Sequence, residues 1–392
     1  MERSFSEWKA FRRVLCVRPD NLGDVLMTTP AIRALKCAVE PREITLLTSH
    51  AGAAIAHHVP EIDEIEIFDP PWCRHEHVQH GGDALQEVVG RLAARRFDAA
   101  VIFTVFSQNP LPSAMLCYMA GIPRIAGYCR ENPYELITDW IPDTEPLYGA
   151  RHEVQRQLDL VAALGARPEQ SVMSLQVPQD RMRTASAVLR DAGVQLERPW
   201  LLLHPGASEA RRRYPAERFA AAARAIQARL GIQVVLTGSP DEAALAASIA
   251  QTAGTGVVSV AGRLDVSDFI ALVAMAPLMI SNNTGPAHIA AAVQTPVVVL
   301  YALTNPQHAP WRVPHRVLPF DIPSGARSRN VLVRYAAERF FAGSAGMTTP
   351  DDIVAAVAEL LEGAANRSYA TTGLVSIAAD VSRPVSGESA RT

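Results

Sequence analysis

Four short segments gather acids, hydroxyls, basic groups and glycines at spacings that could do chemistry. The first is Arg18-Pro19-Asp20-Asn21-Leu22-Gly23-Asp24. Gly23 lets the backbone turn tightly and approach a ligand closely. Two roles are open to Asp24. Its carboxylate can take a proton from an attacking hydroxyl, or it can simply cap a helix, because Asp is a preferred N-cap. The second segment is His204-Pro205-Gly206-Ala207-Ser208, continuing through Arg211-Arg212-Arg213-Tyr214-Pro215. A glycine turn, a hydroxyl and three guanidinium groups before a helix suit a phosphate; the plain alternative is a solvated basic loop. The third is Ser281-Asn282-Asn283-Thr284-Gly285-Pro286-Ala287-His288. Pro286 fits the first turn of a helix, so Thr284 and Gly285 are expected to offer N–H groups at a helix start, where the dipole favours an anion. His288, four residues after Thr284, shares its side of the helix and is either a ligand contact or a packed core histidine. The fourth is Gly238-Ser239-Pro240-Asp241-Glu242, in which Glu242 can accept ribose hydroxyls or serve as a helix-start acid.

Each segment follows a short apolar run. Val14–Val17, Ile44–Leu47, Ile65–Phe68 and Ala100–Thr104 read as strands, with helices near Asp24–Ala38 and Asp83–Arg96 between them. The stretch Ala126–Gly149 has little pattern and reads as loop. A helix over Glu153–Leu164, a linker from Gly165 to about Gln179 and a helix over Arg181–Ala192 follow. The same grammar then restarts, with strands at Trp200–Leu203, Gln233–Leu236, Val257–Val260, Leu278–Ile280 and Val297–Leu300. Helices are expected at Pro215–Leu230, Glu242–Thr252, Val266–Met275, Pro286–Ala292 and Pro350–Glu362. Strand–helix alternation implies parallel sheets covered on both faces. The expected organisation is two doubly wound α/β domains, 1–180 and 181–362, followed by a disordered tail, 363–392.

Composition narrows the classes. A length of 392 residues, 48% of them apolar, suits two cores rather than one. A net charge of −3 argues against a nucleic-acid partner. Lys9 and Lys36 are the only lysines, so the positive charge is nearly all arginine, the side chain suited to bidentate phosphate contacts and equally the mark of a GC-rich genome. The five cysteines lack any CxxC spacing, which points to reduced thiols and to neither a zinc site nor a disulfide framework. The charged N-terminus has no signal-peptide core, and no run of about 20 apolar residues exists. A cytoplasmic location is therefore expected, and Trp8 beside Lys9, Arg12 and Arg13 reads as part of a solvated helix or tail, or else as a point of peripheral contact with the cytoplasmic face of the inner membrane. Composition says nothing of the oligomeric state.

Taken in order, these segments resemble glycosyltransferase family 9, the heptosyltransferases that move heptose from ADP-heptose to lipopolysaccharide core. The resemblance runs from Val14 to about Trp311 and includes Thr28-Thr29-Pro30-Ala31-Ile32-Arg33-Ala34-Leu35 behind the first segment. It implies a GT-B fold: two Rossmann-like domains facing across a cleft, the first for the acceptor and the second for the nucleotide sugar. It implies an inverting, metal-independent transferase with no cofactor and no bound metal, and no Asp-x-Asp pair stands at a suitable position. By the same resemblance Asp24 is the general base, with Arg18, Asn21 and Gly23 on the acceptor side. The donor falls to Ser208, Arg211, Arg212, Glu242, Asn283, Thr284, Gly285 and His288, and the Leu264 main chain meets the adenine. Asn283 departs from the Asp common in lipopolysaccharide heptosyltransferases, which removes a negative charge near the donor and leaves the sugar open. The acceptor is a glycan or glycolipid. The loop Trp72-Cys73-Arg74-His75-Glu76-His77-Val78-Gln79-His80 is expected to border it, with Arg124, Tyr128 and Arg130 meeting an anionic glycan. A non-catalytic nucleotide-sugar sensor and a sugar-nucleotide epimerase share the architecture; an oxidoreductase is disfavoured by the missing GxGxxG.

Overall fold

The computed structural model describes residues 7–73, 82–302, 306–322, 325, 327–340 and 346–370. Two six-stranded sheets organise them, and every strand pairing is parallel. The first comprises β1 (Arg13–Arg18), β2 (Glu43–Thr48), β3 (Glu64–Ile67), β4 (Ala99–Ile102), β5 (Ile125–Cys129) and β6 (Asp139–Pro142), in the order β3-β2-β1-β4-β5-β6. The second comprises β7 (Trp200–His204), β8 (Gln233–Leu236), β9 (Val257–Ser259), β10 (Met279–Asn282), β11 (Val297–Ala302) and β12 (His315–Phe320), in the order β12-β11-β10-β7-β8-β9. In each sheet the winding reverses beside the first strand, between β1 and β4 and between β7 and β10. Crevices for ligands open at such switch points.

Alternation along the buried strands sends successive side chains to opposite faces. On β1, Val14 and Cys16 face one core while Leu15 and Val17 face another; on β7, Leu202 and the pair Leu201/Leu203 divide in the same way. The inner faces of the two sheets belong to one continuous core, and each outer face has its own. Helices α1 (Leu22–Ala38), α2 (His50–Ala56), α3 (Gly82–Arg95), α4 (Leu111–Met119) and α5 (Glu153–Ala162) accompany the first sheet, with α5 packed on α1. Helices α6 (Arg181–Asp191), α7 (Ala216–Leu230), α8 (Ala243–Ala253), α9 (Val266–Met275), α10 (Gly285–Ala292), α11 (Val331–Phe340) and α12 (Pro350–Ala370) follow, with α6 packed on α9. The chain crosses between the two units through 163–180. This segment is tied down: Ser174 N–H donates to Thr29 Oγ1 at 2.8 Å, Gln176 N–H to the His58 carbonyl at 2.8 Å, and Trp311 Nε1 to the Ser171 carbonyl at 2.7 Å.

Several expectations are corrected. Ala126–Gly149 is not all loop, since it holds most of β5 and all of β6. Gly127 within β5 and Pro142 in β6 hid the pattern; Pro142 is tolerated because β6 is an edge strand. The last helix runs eight residues past Glu362, to Ala370; residues 371–392 of the expected tail lie outside the described residues. Trp8 is not available to a membrane. It is 2% exposed, its Nε1 donates to Asp139 Oδ1 at 3.3 Å, and Phe11 packs edge-on against it. Among the described residues no helix is long and apolar enough to cross a membrane.

Candidate active site

Two helix starts meet at the centre of the molecule. β1 ends in Arg18, and after a three-residue turn α1 begins at Leu22 with Asn21 as its N-cap. β10 ends at Asn282, and α10 begins at Gly285 with Thr284 as its N-cap. Glycine permits the meeting. A Cβ on Gly285 would come 2.5 Å from Leu22 Cδ1, and a Cβ on Gly23 would come 2.8 Å from His288 Cδ2. A side chain at either position would force Leu22, His288 or a helix start to shift.

Around this crossing lies a cavity of about 520 Å³. Its lining includes Asn21, Gly23 and Asp24 from the first segment, Ser208 and Arg212 from the second, Glu242 from the fourth, and Asn283, Thr284, Gly285 and His288 from the third. Ten of the predicted residues therefore converge on one space. Arg18 lies behind the wall, fully buried. Its Nη2 is 3.2 Å from Asp24 Oδ1 and 3.1 Å from Glu153 Oε1, and its Nε is 3.1 Å from Asp20 Oδ2. Arg211 pairs with Glu209 and does not line the cavity, and neither does Leu264, which packs half-buried against the inner core. Arg124 pairs with Glu7 and Asp139, Arg130 pairs with Asp143, and Tyr128 is buried beneath the Arg156 guanidinium; none of the three lines the cavity. The histidines of the 72–80 loop lie outside the described residues.

Asp24 does not cap α1, because Asn21 holds that position. Its side chain is 19% exposed and turns to Arg18 instead. Burial pushes its carboxyl upward, but the Arg18 guanidinium outweighs burial and holds it below the ordinary carboxylate range. The carboxylate is therefore ionised and ready to accept a proton. The two facing imidazoles are neutral, since burial pushes His288 down to about 4 and His308 down to about 3.

Two side chains shape the opposite wall. The Glu242 carboxylate lies against Gly206, where a Cβ would overlap it, and its Oε2 takes the Ser239 N–H at 3.0 Å and stands 3.6 Å from His204 Nε2. Glu242 thus braces its own helix start, the second of the roles read from the sequence, and it also lines the cavity. Asn282, wholly buried, pins both ends of the 205–215 loop. Its Oδ1 accepts Tyr214 N–H at 3.0 Å, and its Nδ2 donates to the carbonyls of Pro205 at 2.8 Å and Gly206 at 3.3 Å. Thr284 N–H is spent on the Asn282 carbonyl at 2.8 Å. The backbone donor left to an anion here is Gly285, the first residue of the helix, whose N–H has no intrahelical acceptor.

Arg212 Nε, Asn283 Oδ1 and His288 Nδ1 are buried polar atoms without a hydrogen-bond partner among the described residues, all on residues that line the cavity. Unsatisfied groups cost about 1–3 kcal/mol each when buried, so their clustering marks a place built for a polar ligand. Sequence reasoning missed His308, Glu153 and the pair His50–Asp69, in which Nδ1 meets Oδ2 at 2.5 Å on the cavity wall. His308 and Glu153 lie far along the chain from the motifs. Asp69 follows an edge strand that carries no motif of its own.

Comparison with known proteins agrees with this geometry. The family model described as glycosyltransferase family 9 (heptosyltransferase) matches residues 87–333. Lipopolysaccharide heptosyltransferase 3 of Escherichia coli K12 is 26% identical over 294 residues, which span 74% of this chain and 82% of that protein. Among solved structures, a family 9 glycosyl transferase from Veillonella parvula superposes with a TM-score of 0.71 at 20% identity, over 90% of this chain and 97% of its own. The ADP-heptose heptosyltransferase II of E. coli gives 0.66 at 21%, over 90% of this chain and 99% of its own. The fold is therefore GT-B, and the chain belongs to glycosyltransferase family 9 and is a glycosyltransferase.

Proposed function

We propose that this glycosyltransferase moves a heptose from ADP-heptose onto a hydroxyl of a lipopolysaccharide-core acceptor, with inversion and without a metal ion. The observation that carries the reading is Asp24: an ionised carboxylate fixed by Arg18 at 3.2 Å, in the same cavity as Arg212, Glu242, Thr284 and Gly285. The names of the relatives supply the sugar, since the E. coli structure is that of an ADP-heptose heptosyltransferase. In this reading the diphosphate sits between Arg212 and the Thr284–Gly285 helix start, with Glu242 on the ribose. The Oδ1 of Asn283, which has no partner among the described residues, accepts a sugar hydroxyl. Asp24 takes the acceptor's proton as that oxygen bonds to the anomeric carbon, and the bond to the diphosphate breaks on the opposite face. Charge growing on the leaving diphosphate is met by the Arg212 guanidinium and the dipoles of two helices. The acceptor is presented at the cytoplasmic face of the inner membrane.

Asp24→Ala tests the base. Turnover, followed as ADP release from ADP-heptose with core oligosaccharide in a buffer containing EDTA, should fall about 10²–10⁴-fold, while ADP-heptose still raises the melting temperature. Near-normal turnover in the variant refutes the base; stabilisation by UDP-sugars alone refutes the adenine donor.

A further inference from the structure

Asp24 does not have Arg18 to itself. Nη2 of Arg18 touches Asp24 Oδ1 at 3.2 Å and Glu153 Oε1 at 3.1 Å, so two carboxylates share one guanidinium nitrogen. Glu153 is wholly buried, lies outside the cavity lining, and has an Oε2 without a hydrogen-bond partner among the described residues. A second buried carboxylate beside the first is a poor device for stability, because desolvating it costs several kcal/mol. We propose that Glu153 is a positioning residue that sets the basicity of Asp24 by competing with it for Arg18. The proposal rests on Asp24 as the base.

The competition has two limits. With Glu153 ionised, its charge repels that of Asp24 and draws the guanidinium away, so Asp24 binds a proton more readily. With Glu153 neutral, the guanidinium is left to Asp24 and Asp20, and Asp24 becomes a weaker base. The surroundings divide the pair. Burial, reinforced by the charge of Asp24, pushes the Glu153 carboxyl upward against the pull of Arg18, Arg156 and Gln157, whereas Asp24 is held low. The other groups around Asp24 are the neutral His288 and His308, Arg212 across the cavity, Asp20, and the Cys73 thiol, which burial pushes upward and keeps neutral. When Asp24 receives the acceptor's proton, its attraction for Arg18 ends and Glu153 takes up the guanidinium, so the cation is never left without a counter-charge. Glu153 is held in place from the far side of the molecule. The neighbouring His152 caps the same helix start, meets the Ala309 carbonyl at 2.8 Å and packs its ring on Trp311 at 4.4 Å.

The test is the pH profile of kcat/KM for ADP release from ADP-heptose with core oligosaccharide. At neutral pH kcat of Glu153→Gln should fall about 3-fold, as a base of lower pKa accepts the proton less readily, with KM for the donor unchanged. The deficit should close as pH falls, because the raised Glu153 carboxyl takes its proton before the lowered Asp24 carboxyl does, and the wild type then carries the same neutral neighbour. Should Glu153→Gln fail to fold, Glu153→Asp carries the test. Its carboxylate withdraws from Arg18 by one methylene, so the deficit is smaller and closes in the same way. In either folded variant a fall that is uniform across pH overturns the proposal, since lost packing alone lowers the rate at every pH. A variant as fast as wild type at neutral pH overturns it too. Asp24→Asn separates the two assignments: a dead Asp24→Asn with a uniform fall in Glu153→Gln refutes only the role of Glu153, whereas an active Asp24→Asn removes both.

Discussion

Gly23→Ala isolates the helix crossing from the chemistry around it. The added Cβ would lie 2.8 Å from His288 Cδ2 and 3.6 Å from its Cγ, with the Gly285 Cα at 3.5 Å. Carbon atoms settle about 3.5–4.0 Å apart, so the ring or a helix start must give by roughly 0.7 Å or more. His288 is 4% exposed and has little room to turn. Overpacking of this kind costs about 1–3 kcal/mol. Against it, Ala is favoured over Gly within a helix by about 0.8–1 kcal/mol. The net loss of stability is therefore at most about 2 kcal/mol, and the melting temperature should fall by only a few degrees. Activity should suffer far more, because a displacement of about 1 Å in a reacting site costs about 10²-fold. The expected result is a folded protein with ADP-heptose turnover reduced about 100-fold. Wild-type turnover, or a loss no greater than the unfolded fraction explains, would refute the crossing as the device that positions Asp24 and His288.

Two further outcomes follow from the site. Asn282→Ala removes the side chain that joins Pro205, Gly206 and Tyr214 and orphans their backbone groups at about 1–3 kcal/mol each; melting temperature and ADP affinity should fall together, and unchanged ADP affinity would show that the loop bearing Arg212 needs no such tie. The buried histidines make stability depend on pH: His288 and His308 are depressed to about 4 and about 3 from an ordinary value of 6.5. In that interval the unfolded chain binds protons that the folded one refuses, so their contribution is complete above pH 6.5 and is lost as pH falls toward 4, by roughly 3 kcal/mol for His288. A melting temperature that stays level across this window would contradict neutral, buried imidazoles.

Much of the site was legible because it lies at the ends of central strands, where strand, glycine and helix start follow one another within a few residues. Asp24, Arg212 and Thr284–Gly285 were visible for that reason. Position within a segment was harder to read. Arg211 and Arg212 are adjacent, yet the short helical turn at Ala210–Arg212 directs one to Glu209 and the other to the cavity. Trp8 reads as a surface anchor beside basic residues, yet Asp139, 131 residues away, holds its indole. Glu153 and His308 carried no local signal at all. Their meaning arises from α5 packing on α1 and from the crossing of 306–311 between the two halves, and neither contact is written in neighbouring residues.

The contact between Gly23 and Gly285 sets two helices positive end to positive end, each equivalent to about half an elementary charge. Like poles so close repel, and Asp24 supplies one negative charge already engaged with Arg18. Packing therefore holds the halves together against their own electrostatics, and a diphosphate placed between them, as proposed, would turn that repulsion into cohesion. Donor binding should then tighten the whole molecule.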